Sequence, residues 1–100
     1  MASEQSIQSK IIKLLKSKGA YVVKVQSGTR SGIPDLIACY KGLFLGLEVK
    51  KPETKDDASK LQELNIKQIK KAGGIAIVVW DTTMVDNILK DCDETLRTSN

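Results

Sequence analysis

Apolar residues recur along this chain with two different periods, and the alternation between them sets out its elements. Ile7, Ile11, Ile12, Leu14 and Leu15 repeat at helical spacing, with Ser3 placed to cap a helix from Glu4 to Lys18 and Gly19 to stop it. Tyr21 to Val25 is a short β-branched strand. The polar loop Gln26 to Gly32 follows, and then two apolar runs, Pro34–Tyr40 and Leu43–Lys50, meet at Lys41-Gly42 and read as a hairpin. The segment from Lys51 to Ala58 is a charged linker without core residues. Ser59 caps a helix through Lys71 anchored by Leu61, Leu64 and Ile69, with Ile66 at its margin, and Gly73-Gly74 ends it. Ile75 to Trp80 is almost wholly apolar and reads as a strand buried on both faces. Asp81 or Thr82 caps a last helix to Asp91 with Met84, Val85, Ile88 and Leu89 inward, and residues 93–100 form a frayed polar tail.

The order is therefore α-β-β-β-α-β-α. The strand–helix–strand unit after Gly42 calls for a right-handed parallel crossover, so the fold class is α/β, a mixed central sheet flanked by helices. One hundred residues suit a single domain spanning 1–100.

Register brings chemistry to one end of the hairpin. A loop centred on Lys41 and Gly42 pairs Tyr40 with Leu43, Ala38 with Leu45 and Leu36 with Leu47, and sets Asp35 opposite Glu48. Opposed residues share a face with Cβ atoms about 4.5–5.5 Å apart, and Lys50, two residues on, shares that face. Two opposed carboxylates need a counter-ion, and a divalent metal such as Mg²⁺ is the natural one. The carbonyl of Val49 offers a third oxygen, and Gly46 leaves room on the same face. Lys50 is placed to orient an attacking water or to neutralise developing charge. A surface cluster of salt bridges is the plainer alternative. The weak point is the turn, because a two-residue loop asks Lys41 for a positive φ.

Charge adds a partner to this picture. The net charge is +4, but residues 1–52 carry nine Lys/Arg against three acids, while residues 53–100 carry seven against nine. Two of the three acids in the basic half are Asp35 and Glu48. A polyanion partner fits, with Lys24, Ser27, Thr29, Arg30, Ser31, Lys51 and the lysines of the first helix as candidate phosphate contacts. There is no histidine, and Cys39 and Cys92 are the only cysteines, so a Cys/His zinc site and a histidine base are both excluded. Cys39 reads as a buried strand residue in a reducing compartment. No apolar run approaches 18 residues and no signal peptide is evident, which predicts a soluble cytoplasmic protein with no membrane partner.

Pro34-Asp35, a gap of twelve residues, and Glu48-Val49-Lys50 together resemble the PD-(D/E)-x-K nuclease motif. With Glu4 in the first helix, Gly32-Ile33-Pro34-Asp35-Leu36, Ala58-Ser59-Lys60-Leu61-Gln62 and Gly73-Gly74, the chain is similar to the VRR-NUC domain, the virus-type replication-repair nuclease, over residues 4–80. That resemblance implies a restriction-endonuclease-like, Holliday junction resolvase-like fold. It also implies Mg²⁺- or Mn²⁺-dependent cleavage of branched DNA by a homodimer, as in stand-alone phage members. Carried over by position, Asp35 and Glu48 bind metal, Lys50 assists the nucleophile, Glu4 supports the metal site and Gln62 completes it. Two other readings stand beside it: a non-cleaving nucleic-acid-binding module and a sequence-specific restriction-type endonuclease.

Overall fold

A computed structural model of the chain describes residues 2–26 and 30–98. Its elements follow the expected order: α1 (Glu4–Ser17), β1 (Tyr21–Lys24), β2 (Leu36–Tyr40), β3 (Leu43–Val49), α2 (Lys60–Lys71), β4 (Ile75–Val79) and α3 (Thr82–Thr98), with a short 3-10 turn at Pro52–Thr54. The four strands form one sheet in the order β1-β2-β3-β4, antiparallel except for the parallel pair β3 and β4 that flanks α2. This is the mixed, helix-flanked α/β sheet and the crossover that the sequence predicts.

The hairpin register holds: Tyr40 pairs with Leu43, Ala38 with Leu45 and Leu36 with Leu47. The turn takes the demanding geometry, with Lys41 at φ 51 and Gly42 at φ 84. Asp93 supports it from α3, accepting from Lys41 Nζ and from the Tyr40 hydroxyl, each at 2.7 Å. On one face of the sheet Leu36, Ala38, Tyr40, Leu45, Leu47, Val49 and Val79 pack against Ile7, Ile11 and Leu15 of α1 and Val85, Leu89 and Cys92 of α3. The helix caps form as read: Ser3 Oγ accepts from Ser6 N, and Asp81 Oδ1 accepts from Met84 N.

Four expectations need correction. Helix α3 does not stop at Asp91 with a frayed tail from residue 93; it continues to Thr98, because Cys92 prolongs the buried stripe and Asp93 is tied to the hairpin turn. Strand β4 is an edge strand, so Ile77 is 38% exposed and the strand is not buried on both faces. Cys39 is exposed, because it shares a face with Tyr21 and Phe44, where no helix buries it. Finally, α2 is turned from the expected orientation: Leu61 and Leu64 are about half exposed, while Asn65 is buried and Ile66 and Ile69 are half-buried. The inward stripe is Gln62, Asn65, Ile66 and Ile69, a 3–4 spacing as good as the one anchored on leucine. Gly46 admits that stripe, since a Cβ there would lie 3.0 Å from Ile69 and 3.2 Å from Pro34. The room expected beside the site is thus filled by packing.

Candidate active site

The site lies at the end of the sheet where β1 and β3 finish and β2 begins. Val25 N donates to Asp35 O at 2.8 Å, which carries the β1–β2 ladder one step past the strand and sets Asp35 opposite Glu48 in the continued register. On the other side Lys50 N donates to Val79 O at 3.0 Å. The pleat therefore continues through Lys50, and its side chain shares the face of Glu48. Asp35 also reaches across the hairpin, its Oδ2 accepting from Val49 N at 2.8 Å. Peptide geometry thus fixes one carboxylate against the backbone next to the other.

Glu48 is 3% exposed, an unusual place for a carboxyl. Its Oε2 accepts from Gln62 Nε2 at 3.1 Å. Gln62 has a second task at the start of α2, where its Oε1 accepts from Ser59 N at 2.8 Å while Ser59 Oγ accepts from Gln62 N. This capping box fixes both the helix terminus and the amide that faces Glu48. Burial pushes the Glu48 carboxyl up to about 8; a hydrogen bond and charge from Asp35 and the charge of Glu4 act in the same direction, and Lys50 opposes them. Four of the five expected catalytic residues, Asp35, Glu48, Lys50 and Gln62, are thereby brought together. Glu4, half-buried in the first turn of α1, joins them through its field.

The consequence for stability has a definite sign. Glu48 holds its proton in the folded protein up to about 8, whereas its ordinary value is 4.5. Between those limits folding takes up a proton, so this group's contribution is complete below 4.5 and is lost as the pH rises through 8. The metal-free protein should lose melting temperature across that window, and Glu48→Gln should flatten the loss; calorimetry across the pH range checks both.

The donor set suits a hard cation that keeps its waters. Among the described residues no three Asp, Glu, His or Cys side chains gather closely enough to cage an ion. Mg²⁺ does not need such a cage, since one or two carboxylates and retained waters suffice. Asp35 and Glu48 are the carboxylates that could hold such an ion, with the Val49 carbonyl as the neighbouring backbone oxygen. Gln8, one turn along α1 from Glu4, has a buried Oε1 with no hydrogen-bond partner in the protein.

The expected DNA contacts are more scattered. Arg30 and Ser31 are exposed on the segment leading to Asp35, and Lys51 is half-buried just after Lys50. Lys24 is exposed at the site end of β1 but pairs with Leu36, so it points to the α1 face, opposite Glu48. Ser27 and Thr29 lie outside the described residues. Asn65 of α2, not foreseen as a site residue, accepts at Oδ1 from Arg30 Nη2 at 3.1 Å.

Comparison with known proteins agrees with this geometry. One solved structure, described as a VRR_NUC domain, is 26% identical with a TM-score of 0.74, covering 89% of this chain and 97% of that one. Another, described as a VRR_NUC domain protein, is 20% identical with a TM-score of 0.68, covering 96% of this chain and 89% of that one, and shares the fold. No curated protein matches. Among the described residues no helix is long and apolar enough to cross a membrane. The archaeal Holliday junction resolvase (Hjc) family matches residues 4–98, nearly the whole chain. With Asp35, Glu48 and Lys50 on one sheet end, the chain belongs to that family and is a nuclease of the PD-(D/E)xK type.

Proposed function

We propose that this protein is a divalent-metal-dependent endonuclease that cuts branched DNA, such as a four-way junction, as a homodimer. The observation that carries the reading is the buried Glu48 carboxyl, bonded by Gln62 and pressed against Asp35 with Lys50 on the same face. A salt-bridge cluster would not need a carboxyl buried beside a second carboxyl, whereas a metal seat does. A bound Mg²⁺ or Mn²⁺ supplies an activated water and offsets charge on the phosphoryl oxygens. Asp35, held by Val49 N–H, and Glu48, held by Gln62, keep their carboxylates in place before substrate arrives. Lys50 directs a proton donor at the same space, where it orients the nucleophilic water and stabilises the charge that develops. Glu4 adds negative field that favours cation capture.

Two symmetric nicks need two such sites, and an isologous dimer provides them. The hairpin, together with β1, offers a face for it. Tyr21, Cys39 and Phe44 form one cross-strand row and Val23 and Ile37 the next, with Tyr21 74% and Phe44 44% exposed. With aromatic side chains offering ~150–250 Å² each, this face and the outward Leu61 and Leu64 supply on the order of 500 Å² per protomer, a large share of the ~800 Å² of a standard interface. The two rows carry no charge to attract DNA, so the occupant is a second copy. Phe44→Lys should shift the protein to monomer in sedimentation; an unchanged mass would place the interface elsewhere.

Incubating the protein with a labelled four-way junction and a linear duplex of matching sequence, in Mg²⁺, Mn²⁺ or EDTA, tests the substrate. Metal-dependent cutting of the junction, absent in Lys50→Ala, is expected. Binding without cutting under every condition would make this a non-cleaving module. Cutting of the linear duplex at one sequence would make it a restriction-type enzyme.

A further inference from the structure

Helix α2 carries a second polar contact beside the one that serves Glu48. Asn65 lies three residues after Gln62, so the two side chains are neighbours on one helix face, with Cβ atoms about 5–6 Å apart. Gln62 bonds Glu48, and Asn65 bonds Arg30. Asn65 is only 6% exposed, whereas Arg30 is exposed. The orientation of the amide is settled by its other half, since Asn65 Nδ2 donates to Leu61 O at 2.8 Å and Oδ1 must then face the guanidinium. The chain between Arg30 and Asp35 is docked at the same point. Gly32, at φ +86, lies so close that a Cβ would sit 2.7 Å from Asn65 Nδ2 and from the Leu61 carbonyl.

The chemistry of the holder matters. A carboxylate at position 65 would fix Arg30 more tightly but cancel its charge, whereas an amide oxygen fixes the guanidinium and leaves the charge whole. Among the described residues no carboxylate forms an ion pair with Arg30. Arg30 is itself exposed, so a phosphate can reach the guanidinium while Asn65 holds it.

We infer that Asn65 is a positioning residue that presents Arg30, un-neutralised and one helical step from the Glu48 contact, to a DNA phosphate beside the one being cut. This rests on the nuclease reading above and extends it to a residue that touches neither metal nor scissile bond.

A double-mutant cycle on junction DNA, bound in EDTA at several salt concentrations, tests it. Arg30→Ala should weaken binding about 10-fold and lower the salt slope by about one. Asn65→Ala should do much the same, and should add nothing in the Arg30→Ala background. Cleavage at sub-saturating DNA should fall in parallel with binding, and raising the DNA concentration should recover most of the loss. Asn65→Asp separates latch from presenter: it keeps the acceptor for Arg30 but cancels the charge, so binding should weaken as in Asn65→Ala. Melting temperatures, read in parallel, select folded variants, and Asn65→Ser, too short to reach Arg30, replaces Asn65→Ala if that variant does not fold, with the same expected loss. Additive effects in the cycle, or wild-type binding by Asn65→Asp, would overturn the inference and leave the nuclease reading intact. A wild-type protein that binds no DNA would overturn both.

Discussion

Glu48→Gln should abolish metal-dependent cleavage, by on the order of 10³-fold, without lowering the melting temperature of the metal-free protein. The substitution is nearly isosteric, and its side-chain oxygen can still accept from Gln62 Nε2, as Glu48 does at 3.1 Å. What it removes is an ionisable group buried against Asp35. Burying such a group is unfavourable once it ionises, so at pH 8 and above the variant should melt at least as high as wild type in EDTA. Loss of activity with retained or raised stability is the signature of a residue kept for chemistry rather than for folding. A large fall in melting temperature would instead mark Glu48 as structural.

Asp35→Ala should lose activity by a similar factor but should also lose stability. Asp35 Oδ2 accepts from Val49 N at 2.8 Å, and Val49 is fully buried, so truncation strands a backbone donor where water is scarce. Leaving a buried donor unpaired costs about 1–3 kcal/mol, a drop of several degrees for a domain this size. Asp35→Asn can keep an acceptor for Val49 N, so it should recover most of the stability and none of the cleavage. The contrast between the two variants, read by calorimetry and by junction cleavage, separates the two roles of this carboxylate. Equal stability of Asp35→Ala and wild type would remove the backbone contact from the account.

Much of the site was legible because strand registers are discrete. Once Lys41-Gly42 is the turn, every pair from Tyr40–Leu43 back to Asp35 opposite Glu48 follows, and a slip of one residue would have put Leu36 and Leu47 on opposite faces of the sheet. The reservation about Lys41 was sound chemistry and was met from outside the hairpin, by Asp93 on a helix that sequence reading ended too early. The dual role of Gln62 was visible in the Ser59–Gln62 capping spacing, because the same amide that closes the box lies on the face that meets Glu48.

Helix rotation was not legible in the same way. On α2 two stripes at helical spacing compete, one holding Leu61 and Leu64 and one holding Gln62, Asn65, Ile66 and Ile69. Hydrophobicity alone favours the first. The sheet selects the second, because Gly46 opens a seat for Ile69 and Gln62 finds Glu48. The leucines are left outward. Cys39 was misread for a related reason: alternation places it on the face with Tyr21 and Phe44, but only the position of α2 decides how much of that face is covered. Asn65 and Gln8 gave no sequence signal, since a buried amide resembles any other polar position on a helix.

The central claim is that Asp35 and Glu48 form a metal seat. Calorimetric titration of Mn²⁺ into the wild-type protein near pH 7, in two buffers of different ionisation heat, tests it most directly. The account predicts saturable binding that releases about one proton, because the Glu48 carboxyl must ionise to take the ion. It also predicts that Glu48→Gln and Asp35→Asn lose this binding. Binding of equal strength in both variants, or no binding by the wild type, would contradict it.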